Sequence, residues 1–97
     1  MRALLEITMD TETANRLISD GVVAEKFDRI MGDLKPEAAY FFVRDGRRSQ
    51  IIVVDVADEA SLPSVCEPFW LEFNADVDIH LCMNADDMRA GLGRLGH

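Results

Sequence analysis

A hairpin at the centre of this chain is apolar on both faces of both arms. It covers residues 38–57, AAYFFVRDGRRSQIIVVDVA, and its arms contain the runs Tyr40–Val43 and Ile51–Val54. An antiparallel strand with one face in water alternates apolar and polar residues, and neither run does. A chain of 97 residues has enough helix to cover one face of such a sheet. The hairpin therefore predicts that a second copy of the chain covers the other face.

The turn of this hairpin predicts which residues pair across it. Asp45-Gly46, between two β-prone runs, favours a two-residue type I′ turn. The pairs that follow from this turn are Tyr40–Ile51, Phe41–Gln50 and Phe42–Ser49. Alternation along the strands then gives one face Ala39, Phe41, Val43, Ile52, Val54 and Val56, and the other face Tyr40, Phe42, Arg44, Ile51, Val53 and Asp55.

Composition and charge exclude several classes of function. The net charge is −8, from 18 acidic and 10 basic side chains, which argues against binding to nucleic acid or to an anionic membrane. No run of about 18 apolar residues exists that would span a membrane. The first ten residues, MRALLEITMD, lack the pattern of a signal peptide. We therefore expect a cytoplasmic protein.

Cysteine usage agrees with that location. Cys66 and Cys82 have no CxxC or other zinc-ligand spacing. A disulfide between them would need an oxidising compartment, so we interpret both as free, structural thiols. The sequence also lacks a phosphate-binding glycine loop, a nucleophile elbow and any cofactor fingerprint. It therefore predicts neither a metal nor a cofactor.

The first half of the chain predicts one strand and two helices before the hairpin. The strand covers residues 2–9, and Asp10 begins a run of N-cap candidates. Two apolar stripes follow within residues 11–34, and on one continuous helix they would point about 150° apart. Gly21 lies between them and favours a break, which predicts helices over residues 12–20 and 23–33. One helix buried on two sides is the alternative.

The second half predicts a helix, a strand and a short final helix. An amphipathic stripe indicates a helix over residues 59–73; Pro63 fits its first turn, whereas Pro68 should kink or divide it. Asn74 is a C-cap candidate, and residues 76–84 alternate as a strand. Asn84 can cap a helix over residues 85–91. Residues 91–97 are predicted to be a frayed tail, or an arm that orders only against a partner.

The element order is βαββαβ, which is that of the ferredoxin-like split βαβ motif. We therefore predict one α+β domain over residues 1–97, with a four-stranded antiparallel sheet and its first and third strands in the centre. Both main helices should cover the face that bears Ile7, Phe41, Val54 and Ile79. The opposite face should carry the mixed apolar and polar set.

Three segments resemble a family of small bacterial proteins of unknown function. They are PEAAYFFVRDGRR (36–48), VVDVADEASLPSVCEPFW (53–70) and NADVDIHLCMNADDM (74–88). The family is of the dimeric α+β-barrel type, in which ferredoxin-like domains pair through their sheets. The resemblance therefore implies a homodimer, but it implies no particular reaction, because this class contains isomerases, monooxygenases and plain ligand-binding proteins.

The residues that can carry chemistry are predicted on the mixed face. His80, Glu6 and Asp78 are the candidate catalytic group, as an acid/base set. The alternative is that these side chains lie at a solvated rim or bond across a dimer interface. Tyr40, Phe42, Trp70 and Asp55 are the candidate ligand-binding residues, although interface packing for Tyr40 and core packing for Trp70 remain open.

Three functions are compatible with this pattern. The first is a homodimeric small-molecule-binding or accessory protein with a partly apolar cavity, between sheet and helices or between protomers, for a small apolar or aromatic ligand. The second is a cofactor-independent enzyme of the isomerase or monooxygenase kind that uses His80 with Glu6 or Asp78. The third is a module that binds another protein.

Overall fold

Four antiparallel strands form one sheet in the computed structural model, which describes residues 1–96. The strands are β1 (Arg2–Thr8), β2 (Ala38–Arg44), β3 (Arg47–Asp55) and β4 (Asp76–Leu81). Their order across the sheet is β2-β3-β1-β4. The central pair is β1 and β3, which together contain most of the β-branched and aliphatic residues of the sheet. The most apolar strands therefore lie away from the sheet edges.

The helices are α1 (Thr11–Ser19), α2 (Val23–Leu34), α3 (Leu62–Phe73) and α4 (Ala85–Gly93), with a 3₁₀ turn at Glu59–Ser61 before α3. The predicted break between α1 and α2 is confirmed. Gly21 adopts a positive φ of 73°, which a residue with a side chain rarely does, so residues 11–34 do not form one continuous helix. Asp10 caps α1 by accepting a hydrogen bond from the backbone N–H of Thr13.

Of the two outcomes predicted for Pro68, a kink or a division of the helix, the division does not occur. Pro68 lies inside α3, which continues to Phe73. A proline removes the hydrogen bond to the carbonyl four residues earlier, and here that carbonyl belongs to Ser64, an exposed residue that water can reach. The helix ends as predicted, because Asn74 takes a left-handed conformation at the C-cap.

The hairpin turn and its register are confirmed. Asp45 and Gly46 both have positive φ, 53° and 73°, as a type I′ turn requires. The observed pairs include Tyr40–Ile51, Phe41–Gln50 and Phe42–Ser49. Each side chain of β2 and β3 is therefore assigned to the face that the sequence predicts.

A buried core lies between α1, α2, α3 and one face of the sheet. Leu5, Ile7, Ile52, Phe69 and Phe73 are at most 1% exposed and form its centre. The ring of Phe27 on α2 stacks on Phe73 of α3, with centroids 4.6 Å apart. Burial among these side chains also raises the pKa of the Cys66 thiol.

A charged contact holds α2 against α3. Glu72 on α3 accepts hydrogen bonds from Lys26 and Arg29 on α2. The hydrogen bond from Lys26 lowers the pKa of Glu72 below its usual range, since it stabilises the carboxylate.

The helices cover less of the sheet than the sequence predicts. Phe41 and Ile79 were predicted to be covered by helices, yet Phe41 is 62% and Ile79 37% exposed, and Val43 on the same face is also exposed. Ile7 and Val54 are buried as predicted. The difference follows position in the sheet: Phe41, Val43 and Ile79 lie on the two edge strands, whereas the fully buried sheet residues Leu5, Ile7, Ile52 and Val54 lie on the central pair.

The last strand is shorter than predicted, and an exposed helix follows it. β4 ends at Leu81 rather than Asn84. Asn84 caps α4 in a reciprocal pair of hydrogen bonds with Asp87, and the helix includes Gly91–Gly93, so these residues are not a frayed tail. No residue of α4 is buried. His97 lies outside the described residues.

Candidate ligand-binding surface

The sheet has a second face that α1, α2 and α3 do not touch, which we call the open face. Cross-strand register places its residues in rows, one of which reads Asp78, Glu6, Ile51 and Tyr40 across the four strands. The next row contains His80, Leu4, Val53 and Ala38. The central strands of the open face thus contribute aliphatic Leu4, Ile51 and Val53 together with Glu6, while the edge strands contribute Asp78 and His80 on one side and Tyr40 and Ala38 on the other.

A charged cluster lies near the middle of the open face. Arg44 donates a hydrogen bond from Nη1 to Glu6 Oε2 over 3.2 Å, and His80 Nε2 lies 3.9 Å from the same oxygen. The side chain of Glu6 is 28% exposed, against 56% for His80. The carboxylate is thus partly sheltered, while the groups around it reach into solvent and remain free to contact a ligand.

Arg44 is the member of this cluster that the predicted site omits. It follows Phe42 by two residues on the same face of β2, and its guanidinium lies 5.2 Å from the centre of the Phe42 ring. The alternation of side chains along β2 already predicts that Arg44 lies on the same face as Tyr40 and Phe42, and this was the signal available in the sequence. The reach of its long side chain across β3 to Glu6 is a tertiary feature that the alternation does not contain.

Asp78 adds a second carboxylate to the cluster. It is the direct cross-strand partner of Glu6, and like charges in that position repel each other. Arg44 offsets this repulsion on the Glu6 side. Together these groups offer two acceptors, one permanent cation and one imidazole, which is enough to orient a small polar substituent on a ligand.

The predicted site residues divide into those that lie near this cluster and those that do not. Tyr40, 71% exposed, and the half-buried Phe42 lie on the same face of β2. Asp55 lies at the far end of β3, where its carboxylate binds the Met1 amino group over 3.0 Å. Trp70 lies on α3, on the other side of the sheet, with 44% of its surface exposed. The structure thus separates Asp55 and Trp70 from the rest.

The helix side of the sheet contains a residue that the sequence reasoning missed. Gln50 is 1% exposed, and neither of its amide atoms has a hydrogen-bond partner among the described residues. The register predicted for the hairpin already paired Gln50 with Phe41, and therefore already placed a polar side chain on the core face.

Two further properties concern residues 1–96 only. Within this part of the chain, no three His, Cys, Asp or Glu side chains converge in a way that would hold a metal ion. No helix there is long and apolar enough to cross a membrane. Both cysteines are free thiols, Cys66 buried and Cys82 partly exposed.

Comparisons with known proteins add a structural likeness without a function. No family model matches the chain, and no curated protein matches it. Among solved structures, the chain is similar to the de novo designed protein Ferredog-Diesel, with a TM-score of 0.47 and 13% sequence identity. The match covers 84% of this chain and 85% of the designed one. Membership of a bacterial family therefore stays a prediction.

Proposed function

We propose that the protein is a homodimeric small-molecule-binding domain in which the open faces of two copies meet and enclose a small apolar or aromatic ligand. One observation carries this proposal. The open face has an aliphatic centre at Leu4, Ile51 and Val53 beside a charged cluster at Glu6, and α1, α2 and α3 all lie on its other side. Apolar surface of this kind is stabilised when another surface covers it.

The exposed area of the chain supports a second copy as the cover. A compact monomer of this mass exposes about 5,600 Å², whereas this chain exposes 6419 Å². The excess of about 800 Å² equals the area that each partner contributes to a protein interface of standard size. The C-terminal segment adds to this excess, because Met88 and Leu92 on α4 and Leu95 after it are exposed.

The composition of the open face supports a ligand as well as a partner. Small-molecule sites are mostly apolar and contain a few polar groups that fix the orientation of the ligand. Here Ile51 and Val53 provide apolar floor, Tyr40 and Phe42 provide aromatic surface, and the cluster at Glu6 provides the polar groups. A purely structural interface has no need of that cluster.

The two free thiols fit a reducing compartment, and we place the protein in the cytoplasm.

A charge placed in the centre of the open face tests both parts of the proposal. Ile51→Lys inserts an ammonium beside Glu6 and Tyr40, and we expect it to halve the mass measured by light scattering while the circular dichroism spectrum is retained. Leu71→Lys is the matched control, because Leu71 is 79% exposed on α3, away from the open face. This variant should keep the mass of the wild-type protein.

Binding of an aromatic probe separates a cavity from a solid interface. We expect the wild-type protein and Leu71→Lys to bind 1-anilinonaphthalene-8-sulfonate saturably, and the monomeric Ile51→Lys variant to lose that binding. A wild-type dimer that binds no probe would contradict the ligand-binding part of the proposal. It would favour an interface with a purely structural or protein-binding role.

The contact between His80 and Glu6 favours a second candidate function, a cofactor-independent enzyme of the isomerase or monooxygenase kind. A carboxylate beside an imidazole orients it as a general base, and the 3.9 Å separation of these groups is close enough to tighten when a substrate binds. This function predicts that His80→Ala abolishes turnover and leaves the dimer intact. Loss of the dimer in that variant would instead assign His80 a structural role.

A further inference from the structure

The amide of Gln50 is a buried polar group without a partner among the described residues. Gln50 is 1% exposed, and both Oε1 and Nε2 lack hydrogen bonds. Buried polar groups are nearly always paired, because water that is lost on folding must be replaced. An orphaned glutamine at this depth therefore indicates that a partner is missing from the isolated chain.

Gln50 is also one of the residues that border a groove. The groove has a volume of about 330 Å³ and is bordered by Met9, Phe27, Phe41, Phe42, Val43, Ser49 and Gln50, with Arg48 at the hairpin end. This volume is at the small end of the range of ligand pockets, about 300–1,000 Å³. Its side-chain walls are thus mainly aromatic and aliphatic, and Gln50 is the polar side chain that no described residue satisfies.

Phe41 is placed to control access to the amide. It is the direct cross-strand partner of Gln50, so the two side chains lie next to each other on the same face. Its ring stands nearly perpendicular to that of Phe27, with centroids 5.7 Å apart, and 62% of Phe41 is exposed. The ring can therefore turn outward at little cost in buried surface.

We propose that this groove is a binding site for a flat aromatic molecule that carries a primary amide or a lactam, whose N–H and C=O lie on the same edge. A glutamine side chain offers an acceptor next to a donor, and an amide edge presents the complementary pair. The ligand ring packs against Phe27 in the place that the Phe41 ring leaves. This site lies on the helix side of the sheet and is thus distinct from the proposed dimer cavity.

Benzamide is the probe that tests this site, and the side-chain NH₂ signals of Gln50 are the readout. The ¹H–¹⁵N signal pair that is absent from the spectrum of Gln50→Met identifies Gln50. We expect benzamide to shift this pair saturably at millimolar concentration in the wild-type protein. Gln50→Met should bind benzamide on the order of tenfold more weakly, because it loses both amide hydrogen bonds. Gln50→Leu provides a second apolar variant if Gln50→Met does not fold.

Three further measurements define the site. N,N-Dimethylbenzamide lacks the N–H donors, so it cannot donate to Gln50 Oε1 and should bind more weakly to the wild-type protein than benzamide does. Phe41→Ala should bind benzamide more tightly than the wild-type protein, because no ring has to be displaced. Leu71→Ala, on the outer side of α3, should bind it unchanged.

Two results would overturn the proposal: signals of Gln50 that do not move with benzamide, or equal affinity of Gln50→Met and the wild-type protein. The monomeric Ile51→Lys variant should still bind benzamide at Gln50. Failure of the dimer proposal is thereby distinguishable from failure of this one.

Discussion

Replacing Gln50 by methionine should stabilise the ligand-free protein. A buried polar group left without a partner costs about 1–3 kcal/mol, and both amide atoms of Gln50 are buried and unpaired. Methionine has the same unbranched reach and needs no hydrogen bond. We therefore expect the free energy of unfolding to rise by about 1–3 kcal/mol.

Urea unfolding at fixed protein concentration measures this change. With a slope of about 1–3 kcal/mol per M of urea, the midpoint should rise by about 1 M while the slope stays constant. Fixed concentration matters because dimerisation contributes to apparent stability.

Ser49→Ala is the matched control with the opposite expected sign. Ser49 is the next residue along β3 and is 5% exposed, but its hydroxyl donates a hydrogen bond to the carbonyl of Arg47 over 3.1 Å. Removing a satisfied group should cost about 0.5–1.5 kcal/mol. If Gln50→Met were destabilised by a similar amount, the reasoning would be refuted, because Gln50 would then have a partner in the folded protein.

Three further predictions concern local features of the fold. Asp10→Ala should lower the melting temperature at pH 7, because hydrogen bonds from the first turn of α1 stabilise the charged Asp10 and lower its pKa. The deficit should shrink as the pH falls below about 4, since this stabilising charge is lost on protonation. Equal deficits at pH 7 and pH 2 would contradict this. Iodoacetamide should modify Cys82 well before Cys66, since burial raises the pKa of the Cys66 thiol. Peptide mass spectrometry at successive times measures the two rates, and similar rates would contradict this prediction. Gly46→Ala should destabilise the protein by about 1–2 kcal/mol because Gly46 has a positive φ. Gly32→Ala within α2 should stabilise it by about 0.5–1 kcal/mol, because an added Cβ there meets nothing within 4 Å. Chemical denaturation measures both changes in the free energy of unfolding, and changes of the same sign would contradict the prediction.

Features that depend on a few neighbouring residues could be predicted from the sequence. Asp45-Gly46 determined the turn, and with it every pair in the hairpin. Gly21 similarly marked the end of α1. These outcomes follow from backbone sterics, which act within two or three residues and are largely independent of the rest of the fold.

Features that depend on where helices dock could not be predicted in the same way. Phe41 and Ile7 look equivalent in the alternation, yet only Ile7 is buried, because Phe41 lies on an edge strand, where Phe27 of α2 covers it only in part. The contact between Arg44 and Glu6 also requires a long side chain to cross β3. The alternation gives the face of each residue but not its distance from a helix.

The mass of the unmodified protein in solution tests the central claim most directly. Light scattering across micromolar concentrations should give twice the mass of one chain, because the proposed dimer covers the apolar centre of the open face, and the whole chain exposes about 800 Å² more than a compact monomer of its mass. A mass equal to one chain throughout that range would contradict the account, since the apolar centre of the open face would then be stable in water without a partner.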